Sequence, residues 1–141
     1  PLRFLANSPG LFEVQTNQIG YYQNHPTLDP ELLAIIRYTS ACWFKNNACI
    51  EFNAYILEKQ GMTKNELILL RTDPDKAPLE KKDRALLCFV YNGIRDQDSA
   101  TEDNLQQLRA LGWTDSDIVD AVSHGFFMYA PGKLLDLFKF S

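Results

Sequence analysis

The sequence predicts an all-α helical bundle of about 6–8 helices, on three observations. Apolar residues recur three and four apart through nearly every segment. Most of these segments open on a residue pattern that caps a helix N-terminus. Strand-type alternation bounded by hairpin turns is absent.

Ser8-Pro9 supplies an N-cap followed by proline at the first helical position, predicting a helix over Leu11 to Asn24. Asp29-Pro30 repeats the device and opens the apolar run Leu32-Leu33-Ala34-Ile35-Ile36, which continues toward Trp43. The Asn46-Asn47 pair caps the next helix, with Cys49 in its first turn and Gly61 as its stop. Thr63 to Glu66 forms a capping box for a short helix ending near Leu70, and Thr72 to Pro78 reads as a polar loop. Leu86, Leu87, Val90 and Ile94 mark the buried face of a helix within Leu79 to Arg95. Ser99 to Glu102 reads as another capping box, and Thr114 to Asp117 as a variant with aspartate in the acidic place. They start helices carrying Leu105-Leu108-Leu111 and Ile118-Val119-Val122. Pro131-Gly132 is expected to break the last segment before Lys133 to Phe140.

With 141 residues and 45% hydrophobic content, the chain matches one ordinary domain, 1–141, with its core over about 11–140. A net charge of -4 and no basic stripe argue against nucleic acid as a partner. No stretch approaches the roughly 20 apolar residues of a membrane span. Pro1-Leu2-Arg3-Phe4-Leu5 does not read as a secretory signal. Three cysteines is an odd count in no zinc-ligand spacing, and no glycine-rich phosphate loop is present. Neither a metal nor a cofactor is therefore expected, and a reducing, cytoplasmic setting is the simplest reading.

The chemistry concentrates in Asn46-Asn47-Ala48-Cys49-Ile50-Glu51-Phe52-Asn53, which looks like a two-cysteine redox motif lacking one sulfur. In C-x-x-C at a helix start, one thiolate attacks and the other resolves the product. Here only the second position holds sulfur. A thiol near a helix N-terminus is favoured as thiolate by unpaired N–H groups and the macrodipole, with Lys45 as a nearby cation. The competing reading makes Cys49 a small core residue beside Phe52 and Ile56. Cys42 lies seven residues earlier, roughly 10 Å of helix rise, whereas a disulfide spans at most about 7 Å between Cα atoms. Cys88 reads as core.

His25 reads as a solvated loop residue. His124 interrupts apolar surroundings and is either a pocket base or pH-sensitive donor, or a hydrogen-bonded structural histidine. Asn46 and Asn53 share one helical face and offer amides to a carbonyl or carboxylate ligand. Tyr21-Tyr22, Trp43-Phe44 and Phe126-Phe127-Met128-Tyr129 suit ordinary core, a ligand cavity or a subunit interface.

On these residues the chain resembles the carboxymuconolactone decarboxylase and alkylhydroperoxidase D family, from about Leu11 to the end. In redox members, a leucine-aspartate-proline opening leads to a glutamate, and twelve residues later to C-x-x-C. A histidine follows four residues after the second cysteine, and a glycine eight after that. Leu28-Asp29-Pro30 and Gly61 fit this frame without a gap. It places Ala34 at the glutamate, Asn46 at the first cysteine, Ala48 before the retained Cys49, and Asn53 at the histidine.

The resemblance implies a helical bundle around an antiparallel helix pair, assembled as a dimer, trimer or hexamer. It implies peroxidase or thiol oxidoreductase chemistry, here reduced to a one-cysteine antioxidant enzyme served by an external thiol. One alternative is a catalytically degenerate member that binds a small molecule or acts as a structural oligomer. Another is decarboxylase-like activity on a cyclic acid or lactone, for which the stretch offers only Glu51.

Overall fold

The computed structural model describes residues 3–138. Among them are eight α-helices, three short 3-10 turns and no strand. In chain order the helices are α1 (Pro9–Gln23), α2 (Pro30–Phe44), α3 (Asn47–Lys59) and α4 (Lys64–Leu70). They continue with α5 (Lys81–Arg95), α6 (Glu102–Ala110), α7 (Asp115–Phe126) and α8 (Tyr129–Phe138). None is long and apolar enough to cross a membrane.

Helix α2 is the centre, as its composition requires: Leu32 to Ile36 and Tyr38 to Ala41 are all buried. A helix apolar on nearly every side must be surrounded. It packs on α3, α5 and α7. Lys45 turns the chain between α2 and α3 in the left-handed region, with φ 57°. Helix α5 presents Leu86, Leu87, Val90 and Ile94 to the core, as its apolar spacing predicts.

The local signals mostly act as read. Thr63 and Thr114 form complete capping boxes with Glu66 and Asp117. After α3, Gly61 adopts φ +101°, its N–H meets Glu58 O at 3.0 Å, and Met62 N–H meets Leu57 O at 3.0 Å. This is a Schellman stop, and the left-handed residue it needs is cheapest as glycine. Ser8 and Asp29 occupy N-cap positions without a side-chain cap bond; the prolines after them do mark the helix starts.

Three expectations are corrected. The capping box before α6 is Thr101 with Asn104, and Ser99 instead ends a 3-10 turn, Gln97–Ser99. The Asn104 carboxamide does what glutamate does elsewhere, accepting the Thr101 N–H at 3.1 Å. Thr72 to Pro78 is a loop as read, with one 3-10 turn, Pro74–Lys76. Pro131-Gly132 lies in the first turn of α8 rather than before it. A proline there removes only an N–H that has no helical acceptor. Phe140 lies outside the described residues.

The third correction concerns the aromatic runs, most of which are not core. Tyr21, Trp43, Phe126, Phe127 and Tyr129 are exposed, whereas Tyr22 is buried. Adjacent residues on a helix point about 100° apart, so aromatic pairs divide between the core and the surface. Helix α1 buries only Tyr22 and leaves Leu11, Phe12, Val14 and Ile19 open.

Candidate functional site

Three helices bring the site together. Asn46 caps α3: its Oδ1 accepts the Cys49 backbone N–H at 3.2 Å, which places Cys49 at the third helical position. The Asn46 amide nitrogen donates to Met128 O at 2.9 Å and ties the α3 start to the turn between α7 and α8. One turn after Cys49, Asn53 is 1% exposed. Its Nδ2 donates to Cys49 O at 2.8 Å, and its Oδ1 accepts from Arg37 Nε at 2.7 Å. Arg37 comes from α2, and its Nη1 donates to His124 Nε2 of α7 at 3.0 Å.

Arg37 is the residue that the sequence reading missed. Burial pulls its guanidinium down from its usual basicity, and the Cys49 sulfur opposes that pull. Both hydrogen-bonded partners, Asn53 and His124, are neutral. Among the described residues no carboxylate lies within 4.0 Å of it. A lone arginine inside the apolar run Leu32 to Ala41 was the signal available in the sequence.

The cysteines differ from expectation. Cys49 is half-buried, and Phe52 beside it is exposed, so it belongs neither to the packed core nor to open solvent. Burial pushes its thiol up; the Asn46 amide and Arg37 pull the other way without overcoming it. The helix start therefore does not yield a readily ionised thiol. Lys45 is not among the charges that act on it, whereas Arg37 is. Cys42 is a free thiol, as are Cys49 and Cys88. Cys88 is half-buried rather than core, and its S–H donates to Asp75 Oδ1 at 3.0 Å. Burial and then Asp75 push that thiol up to about 12.

His124 is 7% exposed. Arginine only donates, so Nε2 holds the accepting lone pair and Nδ1 carries the proton. Burial, and after it the positive charge of Arg37, lower it to about 3. It is thus a neutral structural acceptor rather than a base with a free lone pair. The Tyr22 ring packs on it with centroids 4.1 Å apart.

His25 is not solvated: its side chain is 3% exposed and its Nε2 lies 2.8 Å from Asp120 Oδ2. The backbone N–H groups of Thr27 and Leu28 donate to its Nδ1 at 3.2 and 3.1 Å. Ala34 is fully buried one turn before Arg37 and offers no acid or base, and Ala48 lies on the exposed side of α3. The Asn46 and Asn53 amides are both committed to bonds within the protein. Among the described residues no three His, Cys, Asp or Glu side chains form a metal-ligand set.

No family model matches the sequence, and no curated protein does. Solved structures do match. An uncharacterized peroxidase-related protein from Silicibacter sp. TM1040 superposes with TM-score 0.80 at 18% identity, covering 96% of this chain and 72% of that one. Another from Ralstonia eutropha JMP134, described as an alkylhydroperoxidase AhpD core, gives TM-score 0.77 at 18% identity, covering 95% and 71%. A protein of unknown function from Agrobacterium tumefaciens, provisionally named antioxidant defence protein AhpD, gives 0.74 at 17%, covering 97% and 93%. At such identities the likeness shows the fold alone, and that fold is all-helical and of the alkylhydroperoxidase D type.

Proposed function

We propose that the chain is a slow, one-cysteine thiol peroxidase acting through Cys49. The observation that carries this reading is a half-buried thiol at the third position of α3 under the influence of Arg37, a cation with no carboxylate partner among the described residues. Ionised Cys49 attacks one oxygen of a hydroperoxide, forming S–O as O–O breaks. The departing oxygen takes a proton from solvent and leaves as water or an alcohol. Sulfur ends as sulfenic acid. An external thiol then displaces water to give a mixed disulfide, and a second releases Cys49 as the external pair leaves oxidised.

Because burial raises the thiol, the rate rises with pH through an ionisation above the ordinary cysteine value. The test is consumption of hydrogen peroxide and tert-butyl hydroperoxide with dithiothreitol from pH 7 to 10. Expected are activity lost in Cys49→Ser and retained in Cys42→Ser, and a dimedone adduct on Cys49. Consumption that Cys49→Ser leaves intact, or none at any pH, rejects the reading.

The same proposal includes self-association. Leu11, Phe12, Val14 and Tyr21 of α1 are exposed, as are Trp43 and Tyr129. So much apolar surface suits an interface between copies. Light scattering that gives a monomer at micromolar concentration removes this part.

A further inference from the structure

Between α5 and α6 the surface opens into a groove of about 610 Å³ that includes none of the Cys49 set. Its size lies within the roughly 300–1,000 Å³ of small-molecule sites. Ala85 and Phe89 line one wall a turn apart on α5, and the other holds Leu108 of α6 and Leu111 just past its end. The rim is polar in a particular way. The side-chain amides of Asn92 and Gln107 have no hydrogen-bond partner among the described residues. Lys81, the first residue of α5, stands at the groove without an ion pair among those residues. No acidic side chain lines it. The nearby Asp75 carboxylate is engaged by the Cys88 S–H.

We propose that this groove binds a small apolar molecule bearing one carboxylate, with the carboxylate at Lys81 and the hydrocarbon along Ala85, Phe89 and Leu108. The charge pattern selects the anion. On a chain of net charge -4, this groove carries a cation and no acid of its own. The apolar walls select the body, and the free amides add donors for the carboxylate. The site is independent of Cys49.

The test is calorimetric titration of the whole chain with octanoate, and with 1-octanol as the uncharged control. Expected is saturable binding of one octanoate per chain, at least tenfold tighter than octanol. Lys81→Glu should weaken octanoate at least tenfold, and Ala85→Trp should abolish binding by filling the groove. Gln107→Trp fills it from an exposed position, so its result stands even where Ala85→Trp fails to fold. Cys49→Ser should bind as the parent does, which keeps this outcome separate from that of the peroxidase assay. Absence of saturable binding overturns the proposal, as does binding that survives Gln107→Trp. Equal affinity for octanol, or indifference to Lys81→Glu, overturns the carboxylate assignment.

Discussion

Arg37 Nη1 lies 3.0 Å from His124 Nε2, a contact joining α2 to α7 across 87 positions of sequence. A cation donating to imidazole sets the histidine's state, because a protonated ring has no lone pair to accept with. The same guanidinium donates through Nε to Asn53, which in turn holds the Cys49 carbonyl. One arginine thus organises the surroundings of the thiol through neutral partners, and its charge is left to act on sulfur.

The first prediction concerns acid stability. The folded His124 titrates at about 3 against an ordinary 6.5, so the unfolded chain takes up the proton more readily. Its contribution is complete above about pH 6.5 and falls as pH drops toward 3, by at most about 1.4 kcal/mol per unit. His124→Gln keeps an acceptor for Arg37 without titrating. Urea unfolding between pH 7.5 and 4.5 should show a shallower loss of stability in the variant. Equal slopes would contradict the buried, neutral ring.

The second concerns the thiol. Arg37 lowers the Cys49 ionisation against the larger opposing effect of burial. Arg37→Gln should raise the thiol further and slow its reaction with iodoacetamide at pH 8 by about threefold or more, since only the thiolate reacts. Arg37→Lys keeps the charge and should lie closer to the parent. A rate unchanged in Arg37→Gln would show that the charge does not reach the sulfur.

What was legible in the sequence was what is local. The Asn46 cap, the Thr63 and Thr114 boxes and the Gly61 stop each span a few residues and act as read. Where two capping patterns overlap, at Ser99 and Thr101, the one with asparagine at its third position prevails; a search for glutamate passes over it. The site's wiring is non-local. Arg37 meets Asn53 and His124, and His25 meets Asp120 across 95 positions, so neither pairing leaves a periodic trace. Cys49 could be placed at a helix start from its neighbours, but its burial depends on α2 and α8 packing against α3.

A third prediction follows from the double duty of Asn46. Asn46→Ala removes the cap on Cys49 N–H and the donor to Met128 O together. The expected loss is about 1–3 kcal/mol in denaturant unfolding, because a cap alone contributes about 1. Asn46→Asp restores the acceptor and not the donor, and should recover part of this loss. Its negative charge should also slow Cys49 alkylation below the parent rate. An aspartate variant as unstable as alanine would mean that the Met128 bond, not the cap, is what holds the α3 start.

The fourth prediction rests on a contact that no local signal announces. Gly125, near the end of α7, has no side chain, and a Cβ built there would meet Ile94 Cδ1 at 2.5 Å and Ser40 Oγ at 2.8 Å. Both neighbours belong to buried faces of α5 and α2, so neither can swing into solvent. Gly125 is helical, so alanine would ordinarily gain up to about 1 kcal/mol from its better helix propensity. Overpacking of a filled core costs about 1–3 kcal/mol and should prevail. Gly125→Ala is therefore expected to be destabilised in urea unfolding, and the double variant with Ile94→Val should recover part of the loss by removing the colliding Cδ1. Because His124 is its neighbour in sequence, the single variant should also disturb the Arg37 bond and slow Cys49 alkylation, relative to a remote core variant of equal stability. A stabilised Gly125→Ala would mean that α7 stands farther from α2 and α5 than these distances allow.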